Sequence, residues 1–91
     1  MKDIIESNYN SIRMRGLITP DTDMIDFIDK LSEEFNEFKE SCKSESFTRQ
    51  KEELSDVILV CLNIAYHFNI DIEKELKKKI KKNYDRADGK K

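Results

Sequence analysis

Six consecutive apolar residues, Val57, Ile58, Leu59, Val60, Cys61 and Leu62, sit inside a stretch that reads as one helix. The segment EELSDVILVCLNIAYHF carries a stripe at Leu54, Val57 or Ile58, Cys61, Ile64 or Ala65, and Phe68, the spacing of a single helical face. Leu59, Val60 and Leu62 lie off that stripe. A helix that is apolar on nearly every side must be covered on nearly every side. The chain has 91 residues, read as one domain spanning 1–91, and so short a chain has little else to cover it with. This helix therefore predicts an all-α fold completed by a second copy. The expected form is a four-helix chain whose helical bundle is completed by a second subunit.

The rest of the chain parses as three further helices. One proline and two glycines agree with long helices and not with a turn-rich β domain. The first helix is expected from about Asp3 to Arg15, with Ile4, Ile5, Tyr9 and Ile12 on its apolar side and Gly16 as its stop. GLITPDTD then reads as a loop, with Asp21 or Thr22 capping the second helix. In that helix Met24, Ile28, Leu31, Phe35, Phe38 and Cys42 recur at alternating steps of four and three, one heptad stripe. CKSESF breaks the pattern, and the third helix is expected from about Thr48 to Phe68. Asp71 is a natural N-cap for the fourth, with Glu73 and Glu75 in its first turn. Ile72, Leu76, Ile80 and Tyr84 line one side of it, and residues 87–91 read as a frayed tail. Phe27, Phe35, Phe38 and Phe47 read as core.

Charge and composition remove several function classes. Charged residues make up 40%, but the apolar 37% is clustered, which argues against a disordered chain. A net charge of −2 disfavours general affinity for nucleic acid. The longest unbroken apolar run has six residues, far below the roughly 20 of a membrane span, and no membrane partner is expected. MKDIIESNYN lacks the apolar centre of a secretory signal, so Cys42 and Cys61 are expected to be reduced packing cysteines in a cytoplasmic protein.

The acids of the inner helices carry the chemistry. Glu34 and Glu37 are three apart on the second helix, and Glu53 and Asp56 are three apart on the third, so each pair shares a face. Both pairs lie on the margin of an apolar stripe. If the stripes pack antiparallel across the short connection, the acidic margins meet. Four carboxylates gathered at a core edge repel one another, and without a cation some of them neutralise. Oxygen donors with no His or Cys among them suit Mg²⁺, with Mn²⁺ as a substitute. Acid pairs at this spacing also arise on ordinary salt-bridged helix faces, and at this point both readings stand. Further on, Lys79, Asn83 and Arg86 share one face of the fourth helix and offer two cations and an amide to a phosphate, although basic residues there also suit a helix C-terminus. Lys77, Lys78, Lys81 and Lys82 read as solubilising charge. The lone histidine, His67, reads as a surface or capping residue.

Three segments, KLSEEFNEFKE, EELSDVILVCLNIAYHFNIDIEKEL and KIKKNYDR, occur in the order and spacing of the MazG-like nucleoside triphosphate pyrophosphohydrolases. The chain resembles that family over residues 30–86, through an ExxE helix, an ExxD helix and a terminal KxxxNxxR. The family lies in the all-α NTP pyrophosphatase superfamily, which includes dimeric dUTPases. The resemblance implies that Glu34, Glu37, Glu53 and Asp56 bind Mg²⁺. It implies that Lys79, Asn83 and Arg86 contact a nucleotide, chiefly its phosphates, and that Glu33 supports the site or orients water. It implies cleavage of the α–β bond of a nucleoside triphosphate, giving a monophosphate and pyrophosphate, in an intertwined helical-bundle homodimer or in a homotetramer that is a dimer of dimers. A carboxylate of the cluster would take the proton of the attacking water, while Lys79 and Arg86 offset charge on the leaving pyrophosphate. The chain has no Trp, and RMRGLITPDTD lacks the Trp-bearing loop of longer relatives. Tyr9 and Arg13 are therefore the candidate base contacts. Ordinary, deoxy and damaged nucleotides all stay open, the last in a housecleaning role. The competing class is a non-catalytic helical module that dimerises and binds a protein.

Overall fold

The computed structural model describes residues 1–44 and 46–89. The chain is all-α, with four helices in order: α1 (Lys2–Met14), α2 (Met24–Ser41), α3 (Phe47–His67) and α4 (Ile72–Ala87). Their ends follow from local chemistry. α1 stops where Gly16 takes a positive φ of 75°, and Gly16 and Leu17 donate back to the carbonyls of Arg13 and Ile12. That pair of bonds satisfies carbonyls a helix end leaves open. α2 starts at Asp23, not at Asp21 or Thr22: Asp23 and Asp26 each accept from the other's backbone N–H. The Thr22 hydroxyl is engaged elsewhere, accepting from the Thr19 N–H at 2.9 Å.

Ser46 caps α3 through the Arg49 N–H, which moves the start one residue ahead of the expected Thr48. At the far end Asn69 adopts φ 56°, and Ile70 N–H bonds the Ala65 carbonyl at 2.8 Å, closing α3 at His67. Asp71 caps α4 as expected, accepting from Lys74 N–H. Helix α4 runs through Ala87. Lys90 and Lys91 of the expected tail, and Glu45 of the α2–α3 connection, lie outside the described residues.

Helix α3 is the axis of the fold and packs along both α2 and α1. Phe27, Val60, Leu62 and Ala65 are buried at these contacts, joined by Ile18 from the α1–α2 loop. The inner seam of α2 is not the expected stripe. Phe27, Leu31, Glu34, Phe38 and Ser41 face inward, whereas Met24, Ile28, Phe35 and Cys42 are exposed. Two apolar seams run side by side on α2, and the one that meets α3 has a glutamate at its centre. Glu34 is thus in the core, not on its margin, with 8% of its surface exposed. On α3 the residues Leu54, Ile58 and Cys61 point outward, so the all-round apolar helix is covered by its own chain on one side only. Phe47, expected in the core, is exposed with the Lys51 ammonium 5.3 Å from its ring.

Helix α4 departs from α3 at a bend of 113° and leaves Leu76, Ile80 and Tyr84 exposed. Among the described residues no single helix is long and apolar enough to cross a membrane; α3 and α4 reach that length only as this bent pair. Both cysteines are free, and both are exposed in the single chain instead of packed.

His67 is not a surface or capping residue. Its Nε2 lies 2.7 Å from the Thr22 carbonyl and its Nδ1 lies 2.8 Å from the Tyr9 hydroxyl. A carbonyl only accepts, so Nε2 carries the hydrogen, and in the neutral ring Nδ1 accepts from Tyr9. Phe27 and Phe68 pack against the same ring, with centroids 4.9 Å away. One imidazole thereby ties α1, the α1–α2 loop and α3 together.

Candidate functional site

Antiparallel packing of α2 on α3 brings the two acidic pairs together. Carboxylate oxygens of Glu34, Glu53 and Asp56 lie within 4.8 Å of one another, and so do those of Glu33, Glu34 and Glu37. Glu34 belongs to both groups, and one gathering therefore contains all four acids of the ExxE and ExxD motifs with Glu33 beside them.

Electrostatics record the crowding. The Glu37 carboxyl is pushed above its ordinary value chiefly by the adjacent Glu34 carboxylate, with Glu53 and Glu33 adding to it. Asp56 is pushed up first by loss of solvent around its carboxyl and then by the Glu34 charge, while Lys30 pulls the other way. Lys30 is the one cation bonded to the group among the described residues: its Nζ lies 3.0 Å from Glu34 Oε1 and 3.5 Å from Glu33 Oε1. It leaves work undone. Oε2 of Glu34 and Oε2 of Glu53 are both buried with no hydrogen-bond partner. A buried carboxylate oxygen with no partner is costly, and two of them converging from facing helices is a strong demand for a cation. The donors are all hard oxygens, which fits Mg²⁺ or Mn²⁺ and does not fit a soft metal.

A groove of about 500 Å³ opens beside these acids, between α1, α2 and α3. Glu34, Asp56 and Lys30 line it at the acidic end. Its walls are apolar: Ile12, Leu17, Ile18, Phe27, Leu59 and Val60. Asn8, Asn63, Arg15, Thr22 and Asp26 interrupt those walls. Asn63 stands seven residues beyond Asp56 on α3, two helical turns and about 10 Å along the axis. It is 6% exposed, and its Oδ1 accepts from Asn8 Nδ2 at 2.8 Å. Asn8 Nδ2 also reaches the Leu59 carbonyl at 3.4 Å. That carbonyl fixes which way the Asn8 amide points, and Asn8 in turn fixes Asn63. Among the described residues these bonds leave an amide NH₂ on Asn63 and an amide oxygen on Asn8 as an adjacent donor and acceptor. A second cleft, about 600 Å³ and lined by Ile5, Tyr66 and Ile70 among others, shares no residue with the groove and collects none of the clustered acids.

Other expected site residues stand apart. Tyr9 is not in the groove; its hydroxyl serves His67 and its ring meets Tyr66, centroids 4.5 Å apart. Arg13 is exposed and also outside the groove, whereas Arg15, two residues on, lines it. Lys79, Asn83 and Arg86 are exposed on α4 and do not line the groove of their own chain. Sequence reasoning missed Asn8, Arg15, Lys30 and Asn63. Of these only Asn63 left a visible signal, an amide inside an apolar run.

Compared with known families, residues 24–89 match the MazG nucleotide pyrophosphohydrolase domain. The match covers α2, α3 and α4, with both acidic pairs and the cationic face of α4. No curated protein and no solved structure matches the chain.

Proposed function

Because the chain belongs to the MazG nucleotide pyrophosphohydrolase family, we propose that it is a Mg²⁺-dependent enzyme that cleaves a nucleoside triphosphate to a monophosphate and pyrophosphate. The observation that carries this reading is the pair of buried, unpartnered oxygens on Glu34 and Glu53, facing Asp56 at the end of an apolar groove.

Glu34, Glu53 and Asp56 would hold the ion, with Glu37 joined to them through Glu34. When bound, Mg²⁺ or Mn²⁺ supplies positive charge at the phosphate oxygens and acidifies a water. The chain's own residues do the rest. With the ion held by those carboxylates, the triphosphate would lie at the acidic end of the groove, and a carboxylate of the cluster would accept the proton of the attacking water. Ile18, Phe27, Leu59 and Val60 enclose the sugar and base and keep bulk water from them.

The base contact passes from Tyr9 and Arg13 to the Asn8–Asn63 pair, whose free donor and acceptor match the edge of a nucleobase. The 10 Å between Asp56 and Asn63, roughly two helical turns, suits a nucleotide laid along α3. The exposed apolar seams of α2, α3 and α4 support a homodimer or homotetramer. In it Lys79, Asn83 and Arg86 approach the acids across a subunit boundary and steady the departing pyrophosphate.

The test is a panel of ribo-, deoxy- and oxidised nucleoside triphosphates incubated with Mg²⁺ and scored for pyrophosphate against orthophosphate. Pyrophosphate from at least one of them is expected. Orthophosphate alone would move cleavage to the terminal bond, and no product from any of them would leave a non-catalytic helical module.

A further inference from the structure

Lys30 occupies the place where the cluster most needs positive charge. It stands one turn ahead of Glu34 on α2, and its ammonium bonds Glu34 Oε1 at 3.0 Å and Glu33 Oε1 at 3.5 Å. It also lines the groove, on the same wall as Glu34. Its side chain is 51% exposed, so the ammonium is held by its partners and not by packing.

An ion that takes up Glu34 must deal with this ammonium. Glu34 is the residue shared by both groups of acids, and one of its two oxygens is already given to Lys30. A divalent ion and an ammonium on the same carboxylate repel at short range. Lys30 has four flexible carbons, and it lines the groove, so its ammonium can swing from Glu34 toward an anion at the acidic end.

We propose that Lys30 is an exchangeable counter-ion. In the metal-free chain it neutralises Glu34 and Glu33; metal binding displaces it into the groove, where it contacts the substrate phosphates. This rests on the reading of the acids as a metal site. It assigns a cation to the phosphates from within the groove's own chain, distinct from the α4 face. It also makes metal and nucleotide binding mutually favourable, since each partner takes one of the two groups that would otherwise hold each other.

The experiment is calorimetry on the full chain with Mg²⁺ or Mn²⁺ alone, and then with pyrophosphate at saturating metal, for wild type, Lys30→Met and Lys30→Arg. Removing the internal competitor should tighten binding of the metal alone by about tenfold in Lys30→Met and weaken pyrophosphate binding by a similar factor. Lys30→Arg should restore the pyrophosphate affinity. A metal affinity that is unchanged or weaker in Lys30→Met overturns the proposal and leaves the metal site standing. Absence of metal binding in wild type and variant alike removes both.

A second measurement needs no variant. The acylation rate of the wild-type Lys30 amine, read by mass spectrometry, should rise when Mg²⁺ is added and fall again once pyrophosphate is supplied. A rate indifferent to Mg²⁺, in a chain that calorimetry shows to bind it, overturns the exchange.

Discussion

Asn8 and Asn63, separated by 55 positions in the chain, meet through an amide hydrogen bond of 2.8 Å inside an apolar groove. The bond orients both amides and leaves one donor and one acceptor for a ligand. Asn63→Asp tests that arrangement: it keeps an oxygen to accept from Asn8 and replaces the NH₂ with a second carboxylate oxygen, adding a negative charge at a buried position. A well-made amide–base pair is worth about 1–3 kcal/mol. The variant is expected to raise KM for the preferred nucleotide by roughly 5- to 150-fold, with a smaller change in kcat. Steady-state kinetics across the four bases would show it, and equal KM values in variant and wild type would remove the amide pair from recognition.

Asp56 contributes negative charge to a place already rich in it. Asp56→Asn should remove pyrophosphate release by more than the roughly 10- to 100-fold typical of losing a supporting group around a metal. The metal-free fold should melt no lower than wild type, because the variant deletes a carboxylate that burial and Glu34 both disfavour as an anion. Parallel activity and thermal-melting measurements separate the two effects. A large drop in melting temperature would mean that Asp56 has a structural partner instead.

Acidity should act on the empty cluster in a definite direction. Glu37 and Asp56 are both raised, from ordinary values of 4.5 and 3.8. A carboxyl raised in the folded chain favours folding while protonated, and that contribution is lost as pH climbs through the raised value. Without metal, stability should therefore decline from the ordinary carboxylate range upward. Mg²⁺ should restore it increasingly at higher pH, since the ligands must shed protons to bind. Melting curves from pH 4 to 8 with and without Mg²⁺ test this, and Glu37→Gln should flatten the metal-free decline.

His67→Phe keeps an aromatic ring between Phe27 and Phe68 but gives up both hydrogen bonds of the imidazole. Leaving the Tyr9 hydroxyl and the Thr22 carbonyl without it should cost about 1–3 kcal/mol in urea denaturation. A variant as stable as wild type would show that ring packing alone holds α1 in place.

Much of this is open to inspection in the primary structure, for reasons that differ by element. The convergence of Glu34, Glu37, Glu53 and Asp56 follows from helical periodicity and a short connection, both local properties. Caps at Asp71 and the stop at Gly16 are equally local. The rotation of α2 is not legible there. Its two apolar seams differ by one position, and hydrophobicity alone does not say which meets α3; the buried Glu34 decides it, and a buried acid looks exposed by composition. Arg15 and Ile18 reach the groove from the α1–α2 loop and Lys30 through the rotation of α2, tertiary facts with no sequence period. The role of His67 is hidden because its partners, Tyr9 and Thr22, lie 58 and 45 residues away.

The 113° turn after α3 carries Lys79, Asn83 and Arg86 off the groove of the chain that bears them. A site shared between subunits, as proposed, could be reassembled from damaged parts. Asp56→Asn and Arg86→Ala chains, each inert alone, should regain part of the turnover when unfolded together and refolded as hybrids, one lending its acids and the other its guanidinium.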